Sequence, residues 1–409
     1  MFKNTITLIA GTTIAKVMAL IAIPLIARIY GPEIVGQYSL FVAVIAVLTP
    51  IATLRYNVGI VLPKSDIYAY QLTLLSLIFC LTFSILLTVV VYVITVNSLL
   101  PGSYSFIHDY LMYIPVFVML SGVLETLESL VSRFVGFKKI SLSRIQQSAI
   151  SNAAKISFGI LFKPTLISLL ISHLAMVVVG VNKLRVGLEW RKILGCFKRK
   201  RLILIAKKYS DFPCLRLPSR LLLVLATNLP LIFFGYYYTP NETGQLGLAL
   251  MCVALPISLI GNSVSQVYYT EIAKINNRDT VKIKKLTIAV LKKLSIVGLI
   301  PTIILFLSGK DIIRLTLGEE WVVAGVYVEY LSIMLYFQFI SSPLVNVFNV
   351  VGTQYDFLKI NIVRTMFIVL VFSLSVLMKL TSFQCILAYS TILSFHYVLT
   401  TLRVVRTLN

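Results

Sequence analysis

The chain alternates between long apolar runs and short stretches that contain Gly, Pro or charged residues. The runs from Leu72 to Val96 and from Ser382 to Leu402 contain no charged residue. A helix of roughly 20 apolar residues crosses a hydrocarbon layer of about 30 Å. Buried helices of soluble domains rarely need this length, so the pattern predicts a polytopic membrane protein.

The apolar runs predict twelve transmembrane helices, six in each half of the chain. The expected helices are 6–29, 36–62, 68–96, 110–131, 143–162, 165–182, 217–238, 244–270, 286–307, 321–350, 357–378 and 382–402. Only Lys163 and Pro164 separate the fifth helix from the sixth, and each of these two helices is barely long enough to span. A count of eleven therefore stays open.

The composition agrees with a membrane protein and excludes several functions. Hydrophobic residues make up 58% of the chain and charged residues 13%, and the mean hydropathy is +0.93. The net charge of +22 lies in short loops and not on a compact basic domain, so no nucleic-acid partner is expected. The cysteines are scattered singly and form no metal-ligand motif, so no cofactor is expected.

Basic residues concentrate in one central segment and predict the domain organisation. Residues 183–216, with the run Lys198–Arg201, are expected to be a basic linker between an N-terminal six-helix bundle, 1–182, and a C-terminal one, 217–409. When the loops are assigned to alternate sides, most Lys and Arg fall on the side of the N-terminus. The positive-inside rule then places the linker and both termini in the cytoplasm.

A short internal repeat joins the first and second predicted helices of each half. Pro24–Gln37 contains PLI followed by YGPEIVGQ, and Pro230–Gln245 contains PLI followed by YTPNETGQ. Both copies begin on the same side of the membrane, so the halves are expected to be parallel repeats. The predicted fold class is therefore all-α, with two parallel six-helix bundles around a central cavity.

Ionisable residues inside the predicted helices are candidates for a transport site, because intramembrane charges usually face a cavity or a partner. The cations are Lys16, Arg28, Arg55, Lys155 and Arg364, and the anions are Glu125, Glu128 and Glu329. Alternatives stay open: Glu125 and Glu128 share a helical face and are able to neutralise Lys155, and the arginines are able to reach an interface. Lys16 lies near the middle of its helix, which favours a cavity.

A family resemblance is carried by four N-terminal segments, which are Thr7–Lys16, Arg28–Glu33 with Gly36–Tyr38, Thr53–Tyr56 and Val61–Lys64. Together they resemble the polysaccharide-export branch of the MOP superfamily, the Wzx-type O-antigen and capsule-repeat flippases. The resemblance implies a transporter, and not an enzyme, in the bacterial inner membrane. It would move undecaprenyl-diphosphate-linked oligosaccharides from the cytoplasmic to the periplasmic leaflet by alternating access. Membrane lipids, and polymerase and chain-length proteins of lipopolysaccharide or capsule biosynthesis, are the partners that it implies.

A lipid-linked diphosphate crossing hydrocarbon needs cations that replace its hydration. We therefore expect Lys16, Arg28 and Arg55 to contact the diphosphate, with Lys155 and Arg364 as further substrate-binding candidates. Glu125 and Glu128 are the candidates for coupling to H⁺ or Na⁺.

Two other functions stay open at this point. A multidrug and toxin extrusion antiporter would place unpaired carboxylates in its cavity, whereas the predicted spans carry more cations than anions. A membrane polymerase or glycosyltransferase of the same pathway would need a larger outward loop than Asn97–Asp109 or Ser308–Glu320.

Overall fold

The computed structural model describes residues 2–97, 110–275, 279–351 and 354–408. All regular elements in these ranges are helical, which confirms the all-α prediction. The chain divides into two compact units, Met1–Asn228 and Leu229–Asn409. Most of the predicted outward connection 97–109 lies outside the described residues.

The first unit contains eight complete helices and the start of a ninth. They are α1 (Phe2–Ala52), α2 (Tyr56–Gly59), α3 (Asp66–Val96), α4 (Ile114–Arg133), α5 (Phe137–Leu161), α6 (Leu166–Arg185), α7 (Trp190–Gly195), α8 (Arg199–Lys208) and α9 (Leu217–Tyr237). A π-helical turn, Phe212–Arg216, precedes α9.

The second unit begins at Leu229, within α9, and its described residues form seven further helices. Its helices are α10 (Pro240–Pro256), α11 (Asn262–Lys274), α12 (Thr280–Leu317), α13 (Val322–Leu344), α14 (Val347–Val351), α15 (Gln354–Leu377) and α16 (Ser382–Thr407). A π-helical turn, Ile257–Gly261, joins α10 to α11, and a short 3₁₀ turn, Glu319–Trp321, precedes α13.

Nine helices of the described ranges are long and apolar enough to cross a membrane. Three more segments bring the layout to the predicted twelve. α1 bends and so supplies two segments, α5 is long but polar, and the π turn interrupts α10 and α11. The protein is therefore a multi-pass membrane protein with six long segments in each half.

The bend in α1 occurs at one residue. Gly31 has φ 65° and ψ 170°, a conformation that glycine adopts without a Cβ clash, and Pro32 then restarts the helix. The sequence predicted a loop between residues 29 and 36 at this point. Because a single glycine makes the bend, the helix resumes four residues earlier than predicted.

The basic linker is largely folded. Ile193 of α7 and Leu202 and Ile205 of α8 are buried in one apolar cluster with Tyr56 of α2 and the start of α3. The Tyr56 hydroxyl also donates a hydrogen bond of 3.1 Å to the carbonyl of Ala206. The linker helices thus belong to the first unit and pack against α2 and α3, whereas the lysines and arginines of the run 198–201 stay exposed.

Candidate functional site

Arg55 lies at a break in the second predicted helix. Leu54 and Arg55 have φ values of 45° and 59°, a left-handed conformation that non-glycine residues rarely adopt. Such a residue costs about 1–3 kcal/mol and persists only where the surrounding structure holds it. The break ends α1, restarts the chain as α2 and leaves Arg55 at the edge of a cavity.

Glu125 of α4 is the charged neighbour of Arg55. Arg55 Nη1 lies 3.9 Å from Glu125 Oε2, which is a long ion pair, and the Arg55 Nε is buried without a hydrogen-bond partner. The same carboxylate oxygen accepts a hydrogen bond of 3.0 Å from Asn57 Nδ2. Thr53 in turn donates to the amide oxygen of Asn57 at 3.3 Å. Glu125 is therefore held by Asn57 more closely than by Arg55.

Glu128, one turn further along α4, is paired with Arg144 of α5. Arg144 donates to both carboxylate oxygens, from Nη2 at 3.0 Å and from Nε at 3.3 Å. Its Nη1 donates to the hydroxyl of Thr12 in α1, also at 3.0 Å. One guanidinium thus joins three helices through a bidentate geometry that fixes its orientation.

α1 and α5 pack closely beside this pair. Gly11 lies against Ser141, and a Cβ at residue 11 would overlap the serine hydroxyl. Ser148 donates to the carbonyl of Ala15 at 2.7 Å. The glycine that the sequence placed beside Thr12 therefore serves helix packing, and the close approach brings Arg144 within reach of α1.

These two pairs line a cavity of about 330 Å³ in the first unit. Its lining residues are Leu8, Arg55, Asn57, Val58, Val61, Glu125, Glu128, Ser129, Ser132, Ile140 and Arg144. Two guanidiniums and two carboxylates balance formally, and Arg216 and Arg220 act electrostatically on Arg55 from the segment before α9 and its first turn. Hydroxyl and amide groups complete the lining, so the cavity offers hydrogen-bond donors and acceptors, with the further positive charges of Arg216 and Arg220 near Arg55.

The cavity collects three of the seven residues predicted for the site, namely Arg55, Glu125 and Glu128. Lys16 and Arg28 are exposed on α1 and are not among its lining residues. The suggested neutralisation of Lys155 by the two glutamates is wrong in this structure, because both carboxylates have arginine partners.

Lys155 belongs to a separate aromatic cluster of the first unit. Its ammonium lies 4.9 Å from the ring centroid of Tyr38, within the range of a cation–π interaction. The Tyr38 hydroxyl is 2.9 Å from Nδ1 of the buried His173, and Tyr30 donates to the Lys155 carbonyl at 2.8 Å. The Tyr38 ring is therefore a partner for the Lys155 ammonium, whereas Tyr30 binds the backbone of that residue.

Arg364 lies in the second unit, on α15. Its guanidinium is 5.9 Å from the ring of Tyr397, and its Nε is buried without a hydrogen-bond partner. Glu329 is occupied elsewhere, since its carboxylate accepts a hydrogen bond of 2.8 Å from the backbone N–H of Lys310. Among the described residues, the Tyr397 ring is therefore the contact that the structure shows for the Arg364 guanidinium.

Arg144 is the site residue that the sequence reasoning missed. The fifth helix was predicted to begin at residue 143, which placed Arg144 at a loop boundary, whereas α5 begins at Phe137. A usable signal was present. Polar residues recur with helical spacing along α5, and they are Ser141, Arg144, Ser148, Ser151, Asn152 and Lys155.

Solved structures share this fold at low sequence identity. An inward-facing multidrug resistance MATE family transporter of the MOP superfamily gives a TM-score of 0.75 at 15% identity, over 96% of this chain and 94% of that chain. The lipid II flippase MurJ in an inward closed conformation gives 0.61 at 15%, over 98% and 87%. A Vibrio cholerae MATE transporter gives 0.56 at 14%, over 99% and 96%.

These similarities establish the fold of MOP-superfamily transporters and, at such identities, nothing about cargo. No curated protein matches the chain by sequence. Residues 25–325, which include the Gly31 bend, the α2 break and all four charged residues of the cavity, match the family described as "Polysaccharide biosynthesis protein". That match covers most of the chain, and the protein therefore belongs to the polysaccharide biosynthesis protein family.

Proposed function

We propose that the protein is a flippase for lipid-linked oligosaccharides. The family supports a role in polysaccharide biosynthesis, and the fold supports transport across a membrane. The cargo would be an undecaprenyl-diphosphate-linked repeat unit of O-antigen or capsule, moved from the cytoplasmic to the periplasmic leaflet of the bacterial inner membrane. Both termini would be cytoplasmic, and polymerase and chain-length proteins would receive the product.

The observation that carries this proposal is the state of Arg55. Its carboxylate partner is 3.9 Å away, which is too long for a hydrogen bond, so Nη1 of the guanidinium is left with a donor for a ligand. A diphosphate in a site of low dielectric gains most from charge-assisted hydrogen bonds of this kind. The hydroxyls of Ser129 and Ser132 in the same cavity suit sugar hydroxyls, while the lipid tail stays in the bilayer.

Coupling follows from the competition between cargo and Glu125. An ionised Glu125 attracts Arg55 and repels a diphosphate, whereas a protonated or Na⁺-bound Glu125 does neither. Loading of the cargo would therefore be favoured when Glu125 holds H⁺ or Na⁺. Glu128 would serve mainly to hold Arg144.

The other predicted cations would contact the cargo along its route. Lys16 and Arg28 are exposed on α1 and would meet the diphosphate outside the cavity. Lys155 on α5 and Arg364 on α15 would be further substrate-binding cations. We expect their single substitutions to have smaller effects than substitution of Arg55.

The test is complementation of a deletion strain with Arg55→Glu and Lys16→Glu. Arg191→Glu is the matched control, because Arg191 is an exposed arginine on α7. The expected result for Arg55→Glu is loss of surface polysaccharide and accumulation of the lipid-linked precursor, at normal protein abundance. Full complementation by both site variants would contradict the proposed site.

Reconstituted proteoliposomes separate this function from drug export. We expect the wild-type protein to translocate a short-chain polyprenyl-diphosphate sugar and to leave the distribution of an organic-cation dye unchanged. Translocation of the dye alone would overturn the proposal in favour of a multidrug and toxin extrusion activity.

A further inference from the structure

A second cavity lies where the start of α5 meets the end of α6. Its volume is about 520 Å³, and its lining residues are Gly136, Lys138, Lys139, Leu142, Lys183 and Val186. Three of the six lining residues are lysines, and none carries a carboxylate. No residue lining this cavity belongs to the Arg55 site.

Lys139 has a structural role at this place. Its ammonium donates hydrogen bonds to the carbonyl of Leu184, at 2.8 Å, and to that of Val186. Carbonyls at the end of a helix have no partners within the helix, so the lysine satisfies them and counters the negative end of α6. The carbonyls of Leu184 and Val186 therefore already have a cationic partner, and Lys138 and Lys183 are not needed for them.

Lys138 and Lys183 have no carboxylate within ion-pair distance among the described residues. Lys183 also repels Lys139 electrostatically. Three lysines that line one cavity, with no carboxylate among its lining residues, attract an anion. A phosphate group, with several acceptor oxygens, has the chemistry to satisfy them together.

The remaining walls of the cavity indicate that this phosphate carries an apolar chain. Leu142 and Val186 line the cavity and are 42% and 66% exposed. A free inorganic anion would gain nothing from apolar side chains in its site. The glycerol and acyl region of a phospholipid covers such side chains and removes them from water.

We propose that this cavity binds the headgroup phosphate of an anionic phospholipid. Lys138 and Lys183 contact the phosphate, Lys139 holds the end of α6 and adds charge, and Leu142 and Val186 receive the start of an acyl chain. Bound lipid would brace α5, the helix that carries Arg144, against α6.

The test uses the full-length protein in detergent, titrated with phosphatidylglycerol and followed by native mass spectrometry. The variant is Lys138→Gln/Lys183→Gln, and Lys198→Gln/Lys200→Gln removes the same charge from exposed linker positions as a control. We expect at least a tenfold loss of phosphatidylglycerol affinity in the cavity variant and less than a twofold change in the control.

Two further arms guard the interpretation. Lys138→Arg/Lys183→Arg keeps the charge and is expected to retain binding, which separates loss of the site from loss of folding. Phosphatidylcholine and inorganic phosphate are expected to bind at least tenfold more weakly than phosphatidylglycerol. Equal losses in the cavity variant and the linker control, or equally tight binding of inorganic phosphate, would overturn the proposal.

Discussion

Two arginine–glutamate pairs lie side by side in one cavity and are built in opposite ways. Arg144 lies two turns into a regular helix and donates two hydrogen bonds to Glu128, of 3.0 and 3.3 Å. Arg55 sits on a left-handed backbone at a helix break, 3.9 Å from Glu125. In the first pair, all three guanidinium nitrogens of Arg144 donate hydrogen bonds. In the second pair, Nη1 of Arg55 makes only the long contact to Glu125 among the described residues.

The difference separates a structural ion pair from one that is able to exchange partners. A bidentate pair that also holds Thr12 loses several bonds if it opens, so it is suited to holding α1, α4 and α5 together. Opening the single long contact of Arg55 costs little free energy. The strained backbone at Leu54 and Arg55 needs surrounding contacts to persist, and a bound ligand is able to supply some of them. Exchange with a diphosphate is therefore expected at Arg55 and not at Arg144.

Exchanging the arginine and the glutamate within each pair is expected to give the largest difference between the two pairs. Arg55→Glu/Glu125→Arg is expected to leave translocation at least about 30-fold below wild type, since removing a desolvated charged contact to a ligand costs about 2–5 kcal/mol. Arg144→Glu/Glu128→Arg is expected to retain measurable translocation. Initial rates in proteoliposomes measure both, and equal losses in the two swaps would remove the distinction.

A double-mutant cycle on stability comes next in size. Alanine variants of Arg144 and Glu128 should show a coupling energy of about 1–2 kcal/mol, because the pair is bidentate and half-buried. The cycle on Arg55 and Glu125 should give no more than about 0.5 kcal/mol. Unfolding in mixed micelles measures both cycles, and a larger coupling for Arg55 would reverse the assignment.

Thr12→Val tests the contact that ties Arg144 to α1. The substitution removes the acceptor for Arg144 Nη1 at nearly constant volume, and we expect a loss of about 1 kcal/mol of unfolding free energy. Thr13→Val, at the exposed neighbouring position, is the control and is expected to be neutral. If both variants unfold alike, the interhelical bond contributes nothing.

The surface pair Glu189–Lys192 supplies the smallest effect and a reference outside the membrane. The hydrogen bond from Lys192 lowers the pKa of Glu189 below its ordinary range. Its stabilisation is therefore present above the ordinary glutamate pKa and is lost as the pH falls through the lower folded value. Thermal unfolding of Glu189→Gln against wild type, at neutral and acidic pH, should differ only at neutral pH and only slightly, because the pair is exposed.

Hydropathy predicted the helix layout well, because lipid exposure forces long apolar runs that are visible in any sequence. It missed the break at Leu54 and Arg55, since neither residue is a glycine or a proline and tertiary packing imposes the conformation. The fifth helix was predicted from the charged residues and the proline that bound its apolar run, although α5 is too polar to be among the nine apolar spans.

The candidate site was predicted only in part for a related reason. Charges within apolar runs drew attention to Arg55, Glu125 and Glu128, but which cation meets which anion depends on how helices cross. A pairing with Lys155 was as reasonable from spacing as the one with Arg144. The aromatic ring of Tyr38, which carries no charge, was not recognisable as a partner for Lys155.

The docked linker makes the break at Arg55 observable from outside the membrane. Tyr56, the residue after Arg55, is tethered to Ala206 of α8, so a displacement of α2 has to move or detach the linker helices. Gly195, the last residue of α7, is exposed with open space around it. A spin label or fluorophore attached at residue 195 would move with the linker helices. A change in its signal on adding substrate would therefore report the motion at Arg55.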